Sequence, residues 1–363
     1  MTTSRVAPSI SSNSTLDPVG LEEPIEKLVT AAQVAQVWAL VIESQMTVDT
    51  AEPSDAHAMN KAQEDVRSNA RTYRSAQIPS VITQLVHLEE AAGQFQTLHE
   101  ISLESPESAA VILDNLTPSF REFRERAHIS AVRCEEFAKE AESRLAVLAD
   151  RTHAEIKKIS GDDGRIAAKS KELEEMQEVV RKDLEALISA SHKVGSGARK
   201  ILDTIVKIFK ETAQKKEGDD TKKKDKPSSG EASPQSSEDV HKGIEDISSG
   251  SISAALQKLR RDREKVVAIC MELAELRSGL AAAKQVDSEC DAYLRSVRDL
   301  TRPAKELAGA WEQLVASLSA TLEEQAKKDD SGTGLATEIS WSVIKWQSLQ
   351  NQTKRLRTEL AGS

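Results

Sequence analysis

No proline interrupts the chain between Pro118 and Pro227, nor between Pro234 and Pro303, and apolar residues recur through these tracts at helical spacing. Proline removes a backbone donor and clashes with the preceding turn, so its absence over such spans leaves room for very long helices. From Leu256 the apolar positions run Leu256, Leu259, Val266, Cys270, Leu273, Leu276 and Leu280. Three-four spacing keeps one stripe on one face, and such a stripe needs a partner helix. A helix continued from residue 251 to 325 would be about 110 Å long. The expected fold class is therefore all-α: an elongated bundle of about five or six long amphipathic helices with coiled-coil-like packing and a disordered internal loop.

Composition fits narrow seams better than a wide core. Of the 363 residues, 30% are charged and only 3% aromatic, where an average globular domain carries about 25% charge. A net charge of -10 argues against general nucleic-acid affinity, because phosphate binding needs clustered cations. The cysteines, Cys134, Cys270 and Cys290, are odd in number and lack CxxC spacing. They read as small buried hydrophobes. Residues 1–13 hold one arginine and no apolar run, unlike a classical secretory signal. No uncharged stretch approaches the roughly 20 residues needed to cross a bilayer. The expected location is cytoplasmic, or secreted without a classical signal peptide.

Residues 1–20, rich in Ser, Thr and Pro, read as a disordered N-terminal arm. Residues 21–214 hold the N-terminal helices. The first spans about Pro24 to Val48, and the second about Asp55 to Ile101 with a kink at Pro79. Thr117 and Pro118 read as the N-cap and first-turn proline of the third. Gly161-Asp162-Asp163-Gly164 is expected to reverse the chain into an antiparallel hairpin. Residues 215–250 have too few apolar side chains to offset ordering entropy and read as a disordered linker. Residues 251–363 hold the C-terminal helices of the same bundle, with Pro303 kinking the long one without ending it. Trp38, Trp311 and Trp346 fall on apolar stripes and are expected to lock helices together at one end of the rod. Trp341 lies off the stripe, as an end cap or a contact surface.

No catalytic, cofactor-binding or metal-binding constellation is legible. The seven histidines are scattered, without an HExxH or a Cys and His cluster of metal spacing, and glycine-rich phosphate loops are absent. An enzyme is not expected. The segment with interaction character runs from Ala198 to Lys216. Ile201, Leu202, Ile205, Ile208 and Phe209 share one helix face, and Lys200, Lys207 and Lys210 border it. A basic amphipathic helix can lie in an anionic membrane interface. The same pattern also describes a helix packed on its neighbours with lysines in solvent. These eight residues are the candidate membrane or partner contact.

Three stretches carry a family likeness: Asn69 to Leu98 with its Ile78-Pro79-Ser80-Val81-Ile82 core, Leu116 to Leu187 with Phe120-Arg121-Glu122-Phe123, and Leu307 to Leu318 around Trp311 followed by Ile339 to Trp346. In their order they resemble the cytolysin A type of alpha-helical pore-forming toxins, above all the haemolysin BL and non-haemolytic enterotoxin components of Bacillus. The resemblance spans residues 25–360 in layout. It implies a five-helix rod that meets a membrane or sister subunits through a head set between long helices. That family usually carries a strongly apolar hairpin in the head. Here residues 195–250 offer the amphipathic helix and a charged loop, which fits a component that binds a surface or partner and leaves insertion to another chain. The expected function is a non-enzymatic, pore-forming-toxin-like component that associates with membranes, with copies of itself or with companion subunits through helix rearrangement. The alternative is an intracellular coiled-coil scaffold or tether.

Overall fold

The computed structural model describes residues 15–18, 20–48, 50, 53–160, 164–192, 198–214, 250–276, 279–327 and 333–361. Among these residues the fold is all-α, with no strand. The expected linker at 215–250 and residues 1–14 of the expected arm lie outside the described residues, apart from Gly250. The helices are α1 (Glu22–Glu43), α2 (Pro53–Thr72), α3 (Ile78–Glu104), α4 (Ala109–Ser160), α5 (Gly164–His192), α6 (Ala198–Gln214), α7 (Gly250–Leu276), α8 (Leu280–Asp299), α9 (Thr301–Lys327) and α10 (Thr333–Ala361).

Two prolines are absorbed in ways the sequence reading did not foresee. Between α2 and α3 the backbone takes a π-helical turn, Tyr73–Gln77, directly ahead of Pro79. A widened turn accommodates a residue that cannot donate to the ladder. It leaves Tyr73 buried, with its hydroxyl donating to the Ala32 carbonyl at 2.9 Å. At Thr117 and Pro118 no helix starts, because α4 runs straight through them. Thr117 does not cap. Its hydroxyl donates back to the Leu113 carbonyl at 3.0 Å, while Leu113 and Phe120 stay in phase on the buried face.

The expected single helix from 251 to 325 is three helices. The first break comes at Gly279, whose φ of +85° is a left-handed conformation that an L side chain adopts at a cost. The pairing of neighbours shows the reversal. Lys169 meets Glu272 at 2.7 Å and Lys258 meets Asp183 at 2.5 Å, so α7 runs antiparallel to α5. Lys284 meets Glu174 at 3.3 Å and Arg295 meets Glu178 at 3.5 Å, so α8 runs parallel to α5. Thus α7 and α8 form a hairpin about Gly279. Next to α8, His153 meets Asp287 and Arg298 meets Glu142, which sets α4 antiparallel to both α8 and α5, as the glycine and aspartate turn implied. Pro303 falls in the first turn of α9, where its missing donor has no helical partner to lose.

The described residues form two compact units. One comprises residues up to Pro24 together with Gln84–Ile129 and Lys305–Lys354. Its core is an aromatic cluster. Phe95 stacks on Trp346 at 5.0 Å between ring centroids, Phe120 meets Trp346 edge-on at 5.9 Å, and Phe123 meets Trp311 at 5.7 Å. Leu16 and Asp17, assigned to the mobile arm by the sequence reading, are buried here. The Trp346 indole donates to the Leu16 carbonyl at 2.9 Å, and Lys345 pairs with Asp17. Gly20, with φ of +95°, makes the turn that brings this strap into α1.

The other unit comprises Ile25–Thr83, Ser130–Ala304 and Arg355–Ser363. Within it α1 is apolar on nearly every side, with Leu28, Val29, Ala32, Ala35, Trp38 and Ile42 all buried. It is long and apolar enough to cross a membrane by length and composition, although most of it is buried. Counting only uncharged runs had missed it, since Glu26 and Lys27 near its start interrupt the run without lowering the average enough to matter. Its C-terminal end is clamped. Gln63 donates to the Met46 carbonyl and accepts from the Val48 amide, and Arg67 donates to the Gln45 carbonyl at 2.6 Å.

Candidate functional site

The candidate helix α6 lies against α5 and α7 and touches α1. All five apolar residues singled out on it are buried: Ile201, Leu202, Ile205 and Ile208, with Phe209 at their C-terminal end. Lys200 and Lys207 are exposed, and the Lys210 side chain lies outside what the structure describes. The pattern that suits a membrane interface is used here to cover other helices. Thr204 enters the buried face because its hydroxyl is satisfied within the helix, by the Lys200 carbonyl at 2.7 Å.

Phe209 is the centre of this contact. Its ring meets Trp38 of α1 edge-on, 5.6 Å between centroids, and Arg263 of α7 lies over its face at 4.4 Å. Trp38 was expected to join Trp311 and Trp346, but it belongs to a different unit from those two and packs on α6. Arg263 was missed entirely. Its signal was present, for it fills the gap between Leu259 and Val266 on the buried stripe of α7, where an arginine is out of place. Val37, Val41, Val206 and Phe209 line a shallow, half-open dent where α1 and α6 meet.

A second concavity opens among α4, α5 and α8. Its charged lining is cross-paired: Arg298 with Glu142 at 2.6 Å, Lys284 with Glu174, Arg295 with Asp291, and Arg181 with both Glu178 and Glu185. Hydrogen bonding from Arg181 holds the Glu178 carboxyl down at about 2. The cations of this rim are all spent on its own carboxylates, which leaves none of them for an anionic ligand. Among the described residues no group of three His, Cys, Asp or Glu side chains is placed to hold a metal ion. The cysteines are buried and in no disulfide, and burial pushes the Cys134 thiol up to about 11 and the Cys290 thiol further. Such thiols are poor nucleophiles.

Solved structures superpose on this arrangement over nearly its whole length. Soluble SmhA, from the tripartite alpha-pore forming toxin Smh of Serratia marcescens, matches with a TM-score of 0.73 at 14% identity, covering 96% of each chain. The chain has the fold of the alpha-pore forming toxin components. The HblL1 toxin component of Bacillus cereus shares that fold at a TM-score of 0.65 and 9% identity, covering 95% of this chain and 98% of its own. AhlB of the tripartite toxin AHL from Aeromonas hydrophila matches in two states. Its soluble form gives 0.69 at 12% identity over 94% of this chain and 93% of its own, and its pore form 0.59 at 12% over 95% and 98%. The present fold thus lies nearer the soluble state of AhlB than the pore state. No family model and no curated protein sequence matches the chain.

Proposed function

We propose that this protein is a non-enzymatic component of the pore-forming-toxin type, which joins a membrane or companion subunits by moving α6 off α1 and α7. The carrying observation is that α6, a strongly amphipathic basic helix, hides its apolar face against α5, α7 and α1, the last a helix apolar on nearly every side. A helix of that kind is either a covered core helix or a membrane span. Covered by α6 it is the first. Uncovered, it presents apolar surface to whatever replaces α6.

Magnitudes decide where such a movement can occur. Each of the five buried side chains of α6 is worth about 1.5 to 3 kcal/mol when fully withdrawn from water. Detachment into water alone would forfeit that sum, so α6 stays closed in solution. A bilayer surface or an apolar neighbour returns most of it, and lysines at an anionic surface add about 1 kcal/mol each. Lys200 and Lys207, already exposed, stand on the correct edge. The likeness to AhlB supports the reading, since that protein has both a soluble structure and a pore structure.

Flotation with vesicles rich in anionic phospholipid tests this. The wild type is expected to co-migrate, and Ile205→Asp, which places a carboxylate in the apolar face, is expected to stay behind. Failure of the wild type to float removes the membrane half of the proposal.

A further inference from the structure

The layer beneath α6 contains a cation that its own chemistry does not favour there. Arg263 is 2% exposed, and Phe209 of α6 covers one face of its guanidinium. Stacking on a phenyl ring returns part of what removal from water takes, but only part. Its Nε has no hydrogen-bond partner. The carboxylate that pulls on it, Glu289 of α8, is 3% exposed and also accepts from the Gln285 side chain at 2.8 Å. The net balance is visible in its acidity: burial lowers the Arg263 pKa below the usual guanidinium range even though Glu289 pulls the other way.

We infer that Arg263 is a built-in release device for α6: buried under Phe209, it keeps the closed helix less stable than its apolar contacts alone would make it. When α6 departs, the guanidinium face returns to water and the burden is lifted. A closed state built only from Ile, Leu and Phe contacts would have no such relief on opening. The inference rests on the reading of α6 as the moving element, but it is tested without a membrane.

The test is hydrogen exchange of the α6 amides between Ile201 and Phe209 in the full-length protein. Arg263→Met combined with Glu289→Gln removes both charges and keeps the volume; exchange is expected to slow about tenfold. Arg263→Lys keeps the charge but loses the flat stacking surface, and exchange is expected to quicken by a similar factor. An arginine that merely anchors α6 would give faster exchange in both variants, and that result overturns the inference, as does no change in either. If the double variant does not fold, Glu289→Gln alone decides: it strips Arg263 of its carboxylate, so faster exchange is expected and unchanged exchange overturns the inference. Flotation of the same proteins separates this idea from the membrane reading. Slowed exchange with unaltered flotation upholds the release device and counts against α6 as the membrane-seeking element.

Discussion

The aromatic core around Trp346 and the layer between α1 and α6 are both closed helical packings, yet they are made from different materials. Around Trp346, five large rings interlock, and the indole is also tied to a backbone carbonyl of the strap at Leu16. Between α1 and α6 one phenyl ring meets one indole edge-on, above a buried arginine and beside a shallow dent. Interlocking aromatic cores resist partial opening, because each ring removed leaves a cavity bounded by the others. A single amphipathic helix laid across α5, α7 and the end of α1 can be lifted as a unit. The difference teaches that stability is distributed unevenly here: one packing is built to persist and the other to exchange partners.

Substitutions should separate the two, beginning with the largest effect. Trp346→Ala removes a stacked ring, an edge contact and a hydrogen bond, and is expected to cost about 3 to 5 kcal/mol in denaturant unfolding. Protection of the α6 amides in native buffer should be nearly untouched by it. Ile205→Asp should do the reverse. It puts a carboxylate where none can be hydrated, so α6 is expected to lose most of its exchange protection, while the unfolding midpoint of the Trp346 region shifts little. If both substitutions lower both signals together, the two packings are one cooperative core and the comparison fails.

Gly279→Ala should fall between these in size, at about 1 to 2 kcal/mol, since the left-handed φ must be kept for α7 and α8 to lie side by side. Urea unfolding followed by circular dichroism measures it, and an unchanged midpoint would show that the hairpin turn tolerates side chains.

The smallest effect concerns pH and the aromatic unit alone. His87 is buried against Phe123, and its Nε2 accepts from Arg126 at 3.1 Å. Burial first, then the Arg126 charge, lowers its pKa, although Glu90 and Glu122 pull upward. A depressed folded-state pKa means that the unfolded chain takes up a proton first as pH falls below the ordinary histidine value near 6.5. Stability of this region should therefore decline from about pH 6.5 downward and level off once the folded-state pKa is passed. His87→Gln should flatten that slope in thermal unfolding between pH 7 and pH 5.

Much of this was legible in the chain because helical periodicity is a local signal. The stripe from Leu256 to Leu273 is buried as its spacing required, and α4 and α5, on either side of the glycine and aspartate cluster, run antiparallel. What escaped depends on tertiary competition. The helix expected from 251 to 325 passes over Gly279, where the ion pairs to α5 show that the chain turns. Thr117 and Pro118 matched a helix start, but Leu113 and Phe120 stayed on one buried face and carried the helix through. The face of α6 was read correctly as a set of residues, yet sequence alone could not say what it covers, because Trp38 and Arg263 come from helices far away along the chain. Arg263 breaks a local rule, which is where a device that costs stability would be sought.

The claim that matters most is that α6 must leave α1 before the protein engages a surface. Cysteines introduced at Val41 and Val206, which line the same shallow dent, can be joined by a short thiol-reactive crosslinker that reduction cleaves. The three native cysteines are buried. The account predicts that the joined protein stays unbound in flotation with anionic vesicles and that reduction restores binding. Equal flotation before and after reduction would contradict it.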